Sequence, residues 1–257
     1  MAKIKKSTRK MTVIELLLTA LVFITMIRQL ILGNYMNVLL CLLTLILFTL
    51  PKILEKKLSI SIPTGLETII LLFIFCAEIL GEIGAFYVKI PIWDTILHTT
   101  NGFLMAAIGF ALIDIFNRSE KFSLKMSPFF VAFTAFCFSM TVGVLWEFFE
   151  FGMDRLFSMD MQKDWIVNTI NSVKLNPEGL NEPIKVNIES VVINGEQWNL
   201  GGYLDIGLID TMKDLLVNFI GAVVFSFFGI VYLKHRKTDG IAASLIPVVN
   251  ESGSEEE

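Results

Sequence analysis

The sequence has little of what most familiar catalytic sites are built from. It holds 3 cysteines and 2 histidines in 257 residues. Cys41, Cys76 and Cys137 all fall inside apolar runs, so they read as small hydrophobes and form neither a disulfide framework nor a Cys-rich metal cluster. His235 stands near the far end of the last apolar run, which leaves His98 as the one imidazole available to a site and disfavours a His-rich zinc centre. There is no H-E-x-x-H, no Gly-rich phosphate loop and no nucleophile motif. No basic stripe suggests nucleic acid as a partner.

Long apolar runs are abundant instead. The chain is 54% hydrophobic and 18% charged, against the ~45–50% apolar content of ordinary soluble domains. The runs approach or exceed the ~20 residues that a bilayer-spanning helix needs. The reading is an all-α membrane protein, a six-transmembrane helical bundle in one polytopic domain over 1–236. Its spans are expected at about 11–32, 36–54, 65–85, 93–116, 127–153 and 210–233. The basic start leads into a run too long for a signal core and without an A-x-A site, so it reads as a retained first span. The residues 237–257, rich in charge, read as a disordered cytoplasmic tail.

Orientation follows from lysine and arginine in the loops. With the N-terminus cytoplasmic, the inner segments carry five, three, three and three basic residues, and the short outer loops carry none and one. Both termini are therefore expected on the cytoplasmic side. The long segment 154–209 is then extracytoplasmic. Ile184, Val186 and Ile188 alternate in it, and Asn194-Gly195 lies between apolar residues, which predicts a small β-hairpin between spans 5 and 6.

That topology sorts the ionisable residues by depth. Glu78 and Glu82 close span 3, Asp94 and His98 open span 4, Glu147, Glu150 and Asp154 close span 5, and Asp210, Asp214 and Asn218 open span 6. Within each set the steps are three or four residues, so each set lies on one helical face. Ionisable groups inside a span are costly and mark function by default. The four faces are expected to converge near the outer leaflet. Seven or more carboxylates there raise one another's pKa unless protons, a cation or basic groups such as Arg28, Arg155 and Lys213 offset them. Asp, Glu and His suit Zn²⁺ or Mn²⁺, and all-oxygen subsets suit Mg²⁺.

Blander roles stand beside these. Asp94 and Asp210 occupy first turns, where a carboxylate also serves as an N-cap. His98 is also explained as a buried histidine bonded to a backbone carbonyl, and Asn218 as interhelical glue. Glu147 and Glu150 sit in exiting turns, where the helix dipole disfavours anions, so capping does not explain them. Trp93, Trp146 and Tyr35 fit an outer aromatic belt.

These motifs resemble a known family. Asp94, His98 and Gly102, then Trp146-Glu147 with Glu150, Asp154 and Arg155, then Asp210, Asp214, Asn218, Gly221 and Ala222 are similar to the YjdF-type bacterial inner-membrane proteins. More distantly they resemble the VanZ-like family, which opens on Asp-Lys-x-x-His; here Thr95 replaces the lysine and the hairpin loop is extra. The YjdF-type resemblance covers about 66–230 and implies a six-span bundle in the bacterial cytoplasmic membrane, with no activity attached.

Two readings of different classes follow. In the first, the protein is a metal-dependent enzyme acting on an envelope lipid or lipid-linked phosphate. Asp94, His98, Glu147, Glu150, Asp210 and Asp214 are then the metal ligands, and His98, Asp94, Glu147 and Glu150 are the catalytic groups. Arg155, Asn218 and Glu78 are the substrate contacts. In the second, it binds or transports a cation or proton. A non-catalytic membrane scaffold, in which the cluster only fixes helix packing, is the third.

Overall fold

The structure is a computed structural model and describes residues 12–58, 60–118, 126–235, 245–246 and 248–249. It is mainly helical. Thr12 caps α1 (Val13–Ile31), its hydroxyl accepting the Glu15 N–H at 3.1 Å. The chain turns at Gly33 and Asn34 into α2 (Tyr35–Leu47), breaks briefly at Phe48 and Thr49, and continues as α3 (Leu50–Leu58). Strand β1 (Ile60–Ser61) leads through Pro63 to α4 (Thr64–Phe75). Without a break, α4 becomes a π-helix over Cys76–Ile83. After the short α5 (Phe86–Lys89) come the long α6 (Trp93–Arg118) and α7 (Pro128–Phe157).

A β-rich segment follows: β2 (Trp165–Val167), β3 (Thr169–Ser172), a 3₁₀ turn (Val173–Leu175), β4 (Ile184–Asn187), β5 (Val191–Ile193), β6 (Glu196–Trp198) and β7 (Tyr203–Asp205). Helix α8 (Leu208–His235) and strand β8 (Val248–Val249) complete the described chain.

Among the described residues, five helical stretches are long and apolar enough to cross a membrane: Val13–Ile31, Tyr35–Lys57, Trp93–Asp114, Pro128–Phe157 and Leu208–Lys234. The expected third span falls on α4 and its π-helical continuation, so no single long α-helix forms there. A π-turn shifts the hydrogen-bond ladder by one residue and leaves carbonyls to be satisfied elsewhere. Here the Trp93 indole donates to the Cys76 carbonyl at 3.3 Å. Along α1 and α2 most leucine and isoleucine side chains remain exposed, as on helices bathed in lipid.

The expected single hairpin is one of three two-stranded antiparallel pairings between α7 and α8. β5 and β6 form it around Asn194-Gly195, whose φ values of 54° and 87° are those of a type I′ turn. β3 pairs with β4, and β2 pairs with β7, with Trp165 opposite Asp205.

By packing, the chain divides into two compact units, Met1–Val142 with Val217–Glu257, and Gly143–Leu216; α7 and α8 contribute to both. The core of the first unit is an aromatic and alanine-lined seam. Phe103 and Phe110 meet Phe225 edge-on at 5.1 and 5.9 Å between ring centroids, with Ala106, Ala107, Ala135 and Ala222 fully buried around them. Glu15 is buried at the start of α1 and ion-paired with Lys52. Most of the expected tail 237–257 lies outside the described residues. Within it, Ile246 is buried in this core, and the Val248–Val249 backbone pairs with Ile60–Ser61.

Candidate functional site

In the first unit α6 carries Asp94 and His98, and α8 carries Asn218. Asp94 stands in the first turn of α6, and its Oδ1 is 3.5 Å from Nε2 of His98, one turn deeper and buried. That pairing holds the imidazole in one orientation. One further turn along, Asn101 Nδ2 donates to Oδ1 of Asn218 on α8 at 3.2 Å. Asn218 is 1% exposed, and its own Nδ2 approaches the Met140 sulfur of α7 at 3.6 Å. Ser139 of α7 donates to the Gly102 carbonyl at 2.7 Å. The asparagine thus ties three helices, the interhelical role that polar groups play in spans.

This junction is possible because two glycines remove side chains from the crossing. A Cβ on Gly102 would lie 2.0 Å from the Asn218 carbonyl oxygen, and one on Gly221 would lie 2.0 Å from the Thr99 carbonyl oxygen. Beyond the crossing, contacts advance in the same sense along both helices, from Asn101–Asn218 to Phe103–Phe225 and on to Phe110 against Gly229. Glu78 is half-buried in the π-helix, and Glu82 is exposed at its far end.

The second unit holds the acidic residues of α7 and the start of α8. Glu147 and Glu150 are both buried, and each offers a carboxylate oxygen within 4.8 Å of the other. The Trp146 indole donates to Glu150 Oε1 at 2.8 Å, so this tryptophan orients an acid as well as facing the apolar exterior. Asp214 is 1% exposed. Arg155 lies over the Phe151 ring at 5.5 Å, and Lys213 over the Trp165 ring at 5.0 Å. Both bases are therefore engaged with aromatic faces.

Two acids of this unit bind backbone. Asp154 accepts the N–H groups of Met161 and Gln162 at 2.6 and 2.9 Å. Asp210 accepts the Lys163 N–H at 2.7 Å and the Trp165 indole N–H at 3.3 Å. The capping role that sequence reasoning offered Asp210 belongs to Asp205, whose Oδ2 accepts the Ile209 N–H at 2.9 Å. Sequence reasoning missed Asp205 because it lies three residues before α8, outside the N-cap position that capping patterns read.

Outside the apolar helices, partial desolvation pushes the Asp164 carboxyl above its ordinary value, and the carboxylates of Asp160, Asp205 and Asp154 push the same way against the opposing pull of Lys163.

The family model described as "Predicted membrane protein (DUF2238)" matches residues 11–235. A protein of Thermotoga maritima described as "Uncharacterized protein" is 28% identical over 106 residues, which cover 41% of this chain and 53% of that protein. The chain thus spans about half the length of the curated relative it matches. No solved structure matches.

Proposed function

The chain belongs to the DUF2238 family of predicted membrane proteins, the YjdF-type family, and on that premise we propose that it is a six-span protein with a one-sided polar site near the outer leaflet. In this reading α4 and its π-helical continuation make the third span, both termini are cytoplasmic, and the site works as a metal-dependent enzyme on an envelope lipid or lipid-linked phosphate. Asp94, His98, Glu147, Glu150 and Asp214 form its centre.

The observation that carries the reading is the Asn101–Asn218 bond. The contacts of α6 and α8 advance in parallel from that point. Going back one turn from Asn101 leads to His98, and going back one turn from Asn218 leads to Asp214 on the same helix face. On each helix the polar residue thus lies one turn to the same side of the Asn101–Asn218 bond. The three-residue step from Glu147 to Glu150 puts a second pair of buried acids on one face of α7.

The donor set fits a divalent cation. Two glutamates with oxygens within 4.8 Å of each other are hard donors suited to Mg²⁺ or Mn²⁺, and an imidazole paired with a carboxylate at 3.5 Å adds a borderline donor suited to Mn²⁺ or Zn²⁺. When bound, such an ion supplies polarisation of a phosphoryl oxygen and acidification of water. His98, oriented by Asp94, is the group that takes or delivers a proton. Asn218 positions the helices. Asp210 keeps its neighbouring backbone in place.

The test is metal content of purified protein, with Glu147→Gln and His98→Ala beside wild type. The reading expects a stoichiometric divalent ion in wild type and its loss in both variants. Folded protein without metal, melting unchanged in both variants, would leave the scaffold role instead. A second reading, passage of a cation or proton, is favoured by the buried acids Glu15, Glu67 and Asp114 elsewhere on the helices of the first unit. Ion flux into proteoliposomes separates it from the enzyme.

A further inference from the structure

Residues 161–165 leave the end of α7 and are tied down at both sides by side chains that no packing argument requires to be polar. On one side the Asp154 carboxylate holds two successive N–H groups, those of Met161 and Gln162. On the other, three residues in the first turns of α8 grip the segment. Gln162 Nε2 donates to Thr211 Oγ1 at 2.5 Å. Asp210 accepts from Lys163 and from the Trp165 indole. Lys213 covers the face of the same indole at 5.0 Å. The Trp165 ring is thus held at its edge by a buried carboxylate and on its face by an ammonium, yet it remains 40% exposed.

The position of this segment is informative. Asp154 is one helical turn beyond Glu150 on α7, and Asp210 is one turn before Asp214 on α8. A turn of four residues rises ~6 Å. The segment therefore crosses from one helix end to the other about one turn outward of both Glu150 and Asp214. It is fixed by a few polar and cation–π contacts, each modest in size, and not by a deep apolar core. Short segments held in this way open and close readily.

We infer that residues 161–165 are a lid over Glu150 and Asp214, latched by Asp210 and Lys213 on the indole of Trp165. It controls entry of small polar ligands to the acidic face. This rests on the proposed orientation, in which that end of α7 and α8 faces away from the cytoplasm.

The test reads access and needs no bound metal or activity. Cys41, Cys76 and Cys137 are replaced by serine, Asp214→Cys supplies the reporter thiol, and right-side-out spheroplasts are labelled with a charged, membrane-impermeant maleimide. The latched chain should react slowly. Weakening the latch by about the size of one hydrogen bond or more should raise the labelling rate about tenfold or more in Trp165→Ala, which loses both the indole N–H bond and the Lys213 contact, and more modestly in Asp210→Asn. Trp165→Phe, which keeps the ring for Lys213 and removes only the indole N–H, should fall between; it serves as the milder variant if Trp165→Ala fails to fold. Equal rates in the latched chain, Asp210→Asn and Trp165→Phe would overturn the lid. Labelling confined to inside-out vesicles would overturn the orientation on which the lid depends, independently of whether metal binds.

Discussion

Gly102 and Gly221 face each other's helix so closely that neither can carry a side chain. A Cβ on Gly102 would stand 2.0 Å from the Asn218 carbonyl oxygen, and one on Gly221 would stand 2.0 Å from the Thr99 carbonyl oxygen. Both obstacles are backbone, which cannot swing aside as a flexible side chain can. Gly102→Ala and Gly221→Ala should each force α6 and α8 apart and cost about 1–3 kcal/mol of stability, the usual range for overpacking. Thermal unfolding in detergent reads the loss. A wild-type melting curve for Gly221→Ala would mean that the helices do not approach this closely.

The Asn101–Asn218 bond at 3.2 Å should appear as a coupling energy. A double-mutant cycle with Asn101→Ala and Asn218→Ala is expected to give about 0.6 kcal/mol, rising toward about 1.7 kcal/mol for a well-buried pair. Strict additivity of the two substitutions would remove the lock from which the proposed register of His98 and Asp214 is argued.

If a divalent cation occupies the proposed site, it stabilises the folded state by mass action. Free metal at about 100 times its dissociation constant adds about 2.7 kcal/mol. Chelation should therefore lower the melting temperature of wild type and leave that of Glu147→Gln unmoved. An equal response of the two proteins would argue against Glu147 as a ligand.

Asp164 gives a pH dependence in the β-rich segment. Its side chain is exposed, and its carboxyl is raised above its ordinary value by partial desolvation and by the carboxylates of Asp160, Asp205 and Asp154. The folded segment thus holds that proton more tightly than the unfolded chain does. Its contribution is fully present below the ordinary carboxyl value and is lost as pH rises through the raised one. Asp164→Asn should remove this dependence, so the variant should gain on wild type at neutral pH and lose that advantage in acid. Trp165 fluorescence during thermal unfolding at about pH 4 and about pH 7 compares the two, and parallel curves at both values would contradict the assignment.

The outlines of this protein were written in local, periodic signals. Runs of apolar residues give the long helices, because a hydrocarbon environment leaves the backbone no other way to satisfy its own hydrogen bonds. Steps of three and four residues put Asp94 with His98, and Glu147 with Glu150, on shared faces. Asn194-Gly195 makes a hairpin because both residues accept the positive φ its turn demands. Each of these depends on neighbours a few positions away.

What the chain could not disclose depends on residues far apart in sequence. The pairing of β2 with β7, the grip of Asp210 and Lys213 on Trp165, and the donation from Trp93 to the Cys76 carbonyl are settled only when distant segments meet. Trp93 and Trp146 read as belt residues from composition alone; the folded chain gives each indole N–H a specific acceptor. Helical spacing fixes which side chains share a face, at 100° per residue along one axis. Which face another helix covers, and how closely, is decided by steric fit across the interface, here by two glycines that let backbones touch.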